Sequence, residues 1–118
     1  AAVVLAAGVD GLVCTNTTID RASVAAHRHG AEAGGLSGAP LFARATAVLA
    51  GMSARLRGEV PLVGVGGILA GADAAAKFAA GARLVQFYTG MIYVGPGLIA
   101  DCVDALRPRL AGASTTAG

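Results

Sequence analysis

Apolar and polar positions along the chain follow two rhythms. Leu41, Ala45, Val48, Leu49, Met52 and Leu56 recur at spacings of three and four, which places them on one helix face. Pro40 suits the first turn of that helix, and Gly58 closes it. Arg44, Arg55 and Arg57 fall off the stripe. Three other stretches are short and continuously apolar: Gly11 to Thr15 (GLVCT), Pro61 to Val65 (PLVGV) and Leu84 to Phe87 (LVQF). Such runs read as strands buried on both faces. Ala1 to Ala7 is helix-compatible and ends at Gly8. Asp73 is placed to cap a short helix through Ala80, which Gly81 ends. Thr89 to Tyr93 has room for a single helical turn. Ile99, Cys102, Val103 and Leu106 form the stripe of a last helix, and Pro108 is expected to stop it near Arg107. Asn16 to Ala39 is polar and glycine-rich, and an irregular connection of that length is usually functional.

Helices alternating with buried strands argue for an α/β fold with a parallel sheet and right-handed crossovers. An open doubly wound sheet and a (β/α) barrel both satisfy the order. Composition narrows the class. The chain has 118 residues, of which 55% are hydrophobic and 14% charged. Typical soluble domains have roughly 45–50% and about 25%. The apolar excess excludes disorder for most of the chain, and no heptad of charges flanks an apolar seam. A net charge of +2 with scattered Arg residues gives no nucleic-acid footprint. Cys14 and Cys102 are far apart with no CxxC, so they read as reduced, buried thiols. Leu84 to Ala100 is the longest uncharged run, but its glycines and Pro96 make it a poor membrane span. The first residues carry no basic segment of a signal peptide. They read like the middle of a helix, and the chain is expected to be a piece of a longer one.

The candidate chemistry lies in the turns after the strands. Gly64-Val65-Gly66-Gly67-Ile68-Leu69 fails the dinucleotide fingerprint at Leu69, and no acidic residue follows at the ribose-binding distance. Its glycines let backbone amides face a phosphate, and the next strand ends in Tyr88-Thr89-Gly90 with further amides and a hydroxyl. Phosphate binding and a plain tight turn are equally good readings of that spacing. Thr15-Asn16-Thr17-Thr18 ends the first strand. Its amide and hydroxyls suit a planar, amide-bearing substrate, and an Asx-type turn is the simpler alternative. Gly34 to Pro40 (GGLSGAP) can approach a flat ligand or act as a hinge. His27 and His29 have neither the spacing nor the partners of a zinc site. Lys77 reads as a solvated helix residue. Local spacing assembles no Ser-His-Asp set and no carboxylate pair.

Five stretches taken together resemble the C-terminal part of class 2, quinone-dependent dihydroorotate dehydrogenases. They are DGLVCTNTTIDR, GGLSGAPL, PLVGVGGI, AAGARLVQFYTG and MIYVGPGLI, and they span nearly the whole chain in the family's order. GGLSG and GVGGI are shared with the soluble class 1 relatives. TNTT, and QFYTG followed by a Gly-Pro pair, look like class 2.

The resemblance implies about three βα units from the C-terminal part of a (β/α)8 TIM barrel that binds FMN. Residues 1–110 would be that portion, and 111–118 a frayed tail. The implied reaction is oxidation of dihydroorotate to orotate in pyrimidine synthesis, with electrons passed to a quinone. Matched motif by motif, Thr15 contacts FMN, and Asn16 and Thr17 hold the substrate. Gly38 lies against the flavin, while Gly67, Tyr88 and Thr89 bind its phosphate. Gln86 is expected to be a satisfied interior polar group. The family's catalytic Ser base belongs upstream of residue 1, as do its flavin-contacting Lys and first substrate-binding Asn residues. None of Ser23, Ser37 or Ser53 has the context of that base. The helical extension for membrane and quinone is not in these residues either. The full protein would sit peripherally on the cytoplasmic side of the membrane, and this chain alone is expected to be inactive and to self-associate. Two alternatives stand beside this reading. One is a class 1 or dihydropyrimidine-type flavin barrel, and the other is a non-catalytic phosphate-binding or self-associating module.

Overall fold

The computed structural model describes the backbone of residues 1–113 and the side chains of residues 1–108. A short helix α1 (Ala2–Ala6) leads into strand β1 (Leu12–Cys14), and a long loop then reaches a 3-10 turn (Ala39–Leu41) and helix α2 (Phe42–Leu56). Strand β2 (Leu62–Val65), helix α3 (Gly71–Ala79), strand β3 (Leu84–Gln86), helix α4 (Thr89–Val94) and helix α5 (Gly97–Ala113) follow. The strands form one parallel sheet in the order β1-β2-β3. Leu12 pairs with Leu62, and Val63 with Leu84. Parallel neighbours need crossover connections, and α2 and α3 supply them. Each expected strand is present and shorter by one or two residues at its ends.

Two apolar clusters hold the helices to the sheet. Leu49 and Leu56 of α2 pack with Cys14, Val60, Leu62 and Ala82. Ala74 of α3 packs with Ile68 and with Leu98, Cys102 and Leu106 of α5. The α2 row follows the spacing expected of it except at Val48, which is 45% exposed. Val48 stands one residue to the side of Leu49. It lines a shallow hollow with Leu41 and Ile19 rather than the core. On α5 the buried row is Leu98, Cys102 and Leu106, at perfect four-residue spacing, while Ile99 and Val103 are half exposed. The expected stripe was therefore one residue out of phase at two of its four positions.

Pro108 does not stop α5, which runs on to Ala113. Its ring sits on the exposed side of the helix, where the carbonyl that loses its amide partner can be hydrated. Of the tail expected at 111–118, the first three residues belong to α5, and 114–118 lie outside the described residues. Asp73 caps α3 from inside rather than from its start. The helix begins at Gly71, and the Asp73 carboxylate reaches back to accept from the amides of Leu69 (2.9 Å) and Ala70 (3.0 Å).

Lys77 departs furthest from expectation. It is 0% exposed. Its stem lies so close to β2 that a Cβ on Gly64 would stand 3.0 Å from the Lys77 Cβ. The ammonium donates to Thr46 Oγ1 at 2.9 Å and lies 4.8 Å from the centre of the Phe42 ring. In an alanine-rich helix the position three residues after buried Ala74 faces inward, and only the residue type suggested otherwise.

The sheet has two open edges. β1 and β3 each pair on one side only, and Val13 (53%) and Leu84 (64%) are exposed upon them. No helix among the described residues is long and apolar enough to cross a membrane.

Candidate functional site

In a parallel sheet all strands end on the same side, and their C-terminal turns gather there. Here β1 ends in Thr15-Asn16-Thr17, β2 in Val65-Gly66-Gly67-Ile68 and β3 in Phe87-Tyr88-Thr89-Gly90. Together with Ser37 and Gly38 of the long loop they line a cleft of about 510 Å³. Thr15, Asn16, Thr17, Gly38, Gly67, Tyr88 and Thr89, the seven residues singled out from the sequence, all lie on that lining.

The β2 turn needs glycine for two reasons. Gly66 (φ 102°) and Gly67 (φ 76°) both adopt left-handed backbone. A Cβ on Gly67 would also stand only 2.5 Å from Cα of Phe42. The start of α2 therefore presses directly on the turn. Gly90 is equally confined, because a Cβ there would overlap the carbonyl oxygen of Ile68.

The amides of Gly67, Ile68 and Gly90, all buried residues, meet no acceptor among the described residues. Buried amides are nearly always paired. Unpaired donors at adjoining turns make a seat for an anionic oxygen-rich group, such as a phosphate. Thr89 opens α4, and its hydroxyl is hydrogen-bonded to Ser37 Oγ at 2.9 Å. That bond ties the glycine-rich loop to the third turn. Tyr88 lines the cleft and is 80% exposed. Gln86 lines the cleft and is exposed. It is not the enclosed interior group expected from the sequence.

The opposite wall is polar and open. Asn16 Oδ1 accepts from the Thr17 amide at 2.8 Å, and Thr15 donates from its hydroxyl to the Asn16 carbonyl at 2.9 Å. The Asn16 carboxamide NH2 has no acceptor among the described residues. An antiparallel bridge joins Thr18 to Leu36, with amide-to-carbonyl distances of 3.0 and 2.7 Å. The Arg21 guanidinium donates to the carbonyls of Gly30 and Gly34. The two ends of the long loop are thereby closed on each other. His29 pairs with Glu32 at the surface, away from the cleft. No group of three or more His, Cys, Asp or Glu side chains gathers at metal-binding range among the described residues.

Three groups have shifted acidities. Burial pushes the thiols of Cys14 and Cys102 up, and at Cys102 the carboxylates of Asp101 and Asp73 add to the effect. Burial pushes Lys77 down, against the opposing pull of Asp73. A cleft residue missed from the sequence is Ser37, which was legible as the neighbour of Gly38 within GGLSG.

The family profile described as dihydroorotate dehydrogenase matches residues 1–110. The chain is 58% identical over 101 residues to the dihydroorotate dehydrogenase (quinone) of Xanthomonas campestris pv. campestris (strain B100). It is 59% identical over 101 residues to that of Xanthomonas euvesicatoria pv. vesicatoria (strain 85-10). Each alignment covers 86% of this chain and 29% of the relative, so the chain spans under a third of the length of these relatives. The crystal structure of ligand-free type DHODH from Eimeria tenella superposes with a TM-score of 0.85 at 42% identity, covering 96% of this chain and 32% of that one. The DHODH complex with ferulenol from Eimeria tenella gives 0.84 at 41% identity, with 95% and 30% covered. The three parallel strands match part of a TIM barrel.

Proposed function

Because the chain belongs to the dihydroorotate dehydrogenase family, we propose that it forms the FMN-phosphate and substrate-facing part of a quinone-dependent enzyme that oxidises dihydroorotate to orotate. Residues 1–110 act as the C-terminal portion of the barrel. The observation that carries this reading is the pair of glycine-rich turns whose buried amides lack partners, facing the polar Thr15–Thr17 strip across one cleft.

The residues present fit FMN. The amides of Gly67 and Gly90 would hold the phosphate, with the Thr89 hydroxyl and the Tyr88 backbone beside them. Two adjoining sets of backbone donors suit a dianion where the turns themselves carry no Lys or Arg. Gly38 and Thr15 would face the flavin. FMN, when bound, supplies the two-electron redox chemistry that protein side chains lack. Asn16 and Thr17 orient the pyrimidine. The Asn16 NH2 donates to a ring carbonyl, and the Thr17 hydroxyl holds a neighbouring polar edge. The proton leaving the substrate is taken by a base outside these residues, since Ser23, Ser37 and Ser53 lack the context for that role.

The remaining strands of a barrel would cover the two open sheet edges. Without them the 118-residue chain is inactive and self-associates through its unpaired strands. A quinone is lipid-soluble, so the full protein works peripherally at the cytoplasmic face of the membrane, through residues outside this chain. No nucleic acid takes part.

The test uses the full-length protein. It should purify yellow, release FMN on denaturation and reduce a quinone with dihydroorotate, and Asn16→Ala should remove at least about 99% of turnover, the loss of a substrate-orienting pair of hydrogen bonds. A colourless protein, or full activity in the Asn16→Ala variant, would sink the reading. Reduction of fumarate or a nicotinamide in place of a quinone would favour the class 1 alternative. A 118-residue chain that stays monomeric on size exclusion and binds FMN would favour the independent module.

A further inference from the structure

Lys77 is the only lysine of the chain, and the site as described has no use for it. It is fully buried between α2, α3 and β2. Taking an ammonium out of water is costly unless its donors are met. A Met would fill the same channel without that cost, so packing alone does not account for a lysine here.

Its partners show where the charge acts. The ammonium donates to Thr46 Oγ1 at 2.9 Å, and that hydroxyl donates in turn to the Phe42 carbonyl at 2.6 Å. The same ammonium lies 4.8 Å from the Phe42 ring centre. Phe42 is therefore held twice, by its carbonyl through Thr46 and by its ring. Its backbone is also what presses on Gly67, leaving no room for a Cβ. From Lys77 to Gly67 the contacts are continuous, and each link is either a hydrogen bond, a cation–ring contact or a van der Waals limit. Burial pushes the acidity of Lys77 in the direction that weakens the cation, and the Asp73 carboxylate works against this.

Resting on the reading of Gly67 as part of the phosphate seat, we propose that Lys77 is a positioning residue for that seat, its ammonium clamping the first turn of α2 beneath the Gly66–Gly67 turn so that the Gly67 amide faces the phosphate. The low-dielectric surroundings also let its charge favour the dianion without touching it.

The test compares FMN with riboflavin, which lacks the phosphate, on the apo form of the full-length protein. Lys77→Met should weaken FMN binding about tenfold, the scale of one charge-assisted hydrogen bond, while riboflavin binding changes by less than about twofold. Thr46→Val keeps the lysine and breaks the link, and should weaken FMN alone by about threefold. If Lys77→Met does not fold, Thr46→Val decides the matter. Equal losses for both ligands would reduce Lys77 to a general packing role, and unchanged FMN binding in both variants would overturn the proposal outright. A wild-type protein that binds FMN and riboflavin equally would instead overturn the phosphate seat itself.

Discussion

On one side of the cleft the Gly66–Gly67 turn and the start of α4 rest on Ile68, Leu98 and Leu41, side chains with almost no exposure. On the other side, the Thr15–Thr17 strip and the Gly34–Gly38 loop rest on hydrogen bonds near the surface, from Asn16, Arg21 and the Thr18–Leu36 bridge. Close-packed interiors transmit small displacements stiffly. Exposed polar ties yield more easily and carry little stability each. The two walls suit different tasks. On the proposed function, a phosphate that stays bound through every turnover wants fixed amides, whereas a substrate that enters and leaves wants a wall that can give. Thr89 stands at the join, since its hydroxyl pairs with Ser37 across the two walls.

The comparison breaks first if the packed wall turns out to be soft. Leu98 is fully buried against Ile68 and Cys102, and Leu98→Ala in the full-length protein should cost about 3 kcal/mol of stability, mostly from the cavity left behind. Denaturant unfolding followed by flavin fluorescence should show flavin release at lower denaturant, with the substrate KM of the folded enzyme little changed. Gly67→Ala is next. It places a Cβ 2.5 Å from the Phe42 Cα at a φ of 76°, and should cost about 2 kcal/mol through strain and overpacking. FMN affinity should fall more steeply than global stability, because the displaced amide is itself a donor. A Gly67→Ala protein with wild-type FMN affinity would show that this wall adapts.

The order of elements and the cleft lining were legible because both depend on local signals. Continuous apolar runs mark buried strands, and glycine or Asn-Thr clusters mark the turns that follow them. Six of the seven chosen residues follow strand ends and line one cleft because a parallel sheet sends every strand end the same way, and Gly38 joins them from the long loop. What was not legible depended on partners distant in sequence. Val48, Ile99 and Val103 have the right residue type at the wrong angle, and only the position of the sheet tells Leu98 from Ile99. Lys77 was misread by its type, since nothing in the sequence shows that Thr46, thirty-one residues earlier, would receive its ammonium. Pro108 was misread because its cost depends on exposure, and it stands exposed on α5.

The smallest effect on stability should come from the polar wall, and it sharpens the comparison most. The Arg21 guanidinium joins Gly30 to Gly34 by their carbonyls. Gly35, the next residue, fits against the Thr17 side chain so closely that a Cβ there would overlap the hydroxyl. Arg21 thus sets the distance between the glycine-rich loop and a proposed substrate-binding residue without touching the cleft. Removing it returns the exposed Gly34 carbonyl to water and leaves the carbonyl of buried Gly30 without that donor, so Arg21→Ala should lower stability by no more than about 1 kcal/mol. The Thr17 hydroxyl would lose its fixed place, and the dihydroorotate KM should rise about fivefold with FMN affinity unchanged. The Asp20–Arg44 ion pair, which joins the same loop to α2, spans 3.5 Å with both partners exposed, so Arg44→Ala is a control that should move neither quantity. Steady-state kinetics and thermal unfolding of the two variants side by side decide the point. A stability loss in Arg21→Ala as large as that of Gly67→Ala would mean that the loop is part of the rigid frame, and the division of the cleft into a stiff wall and a yielding one would fail.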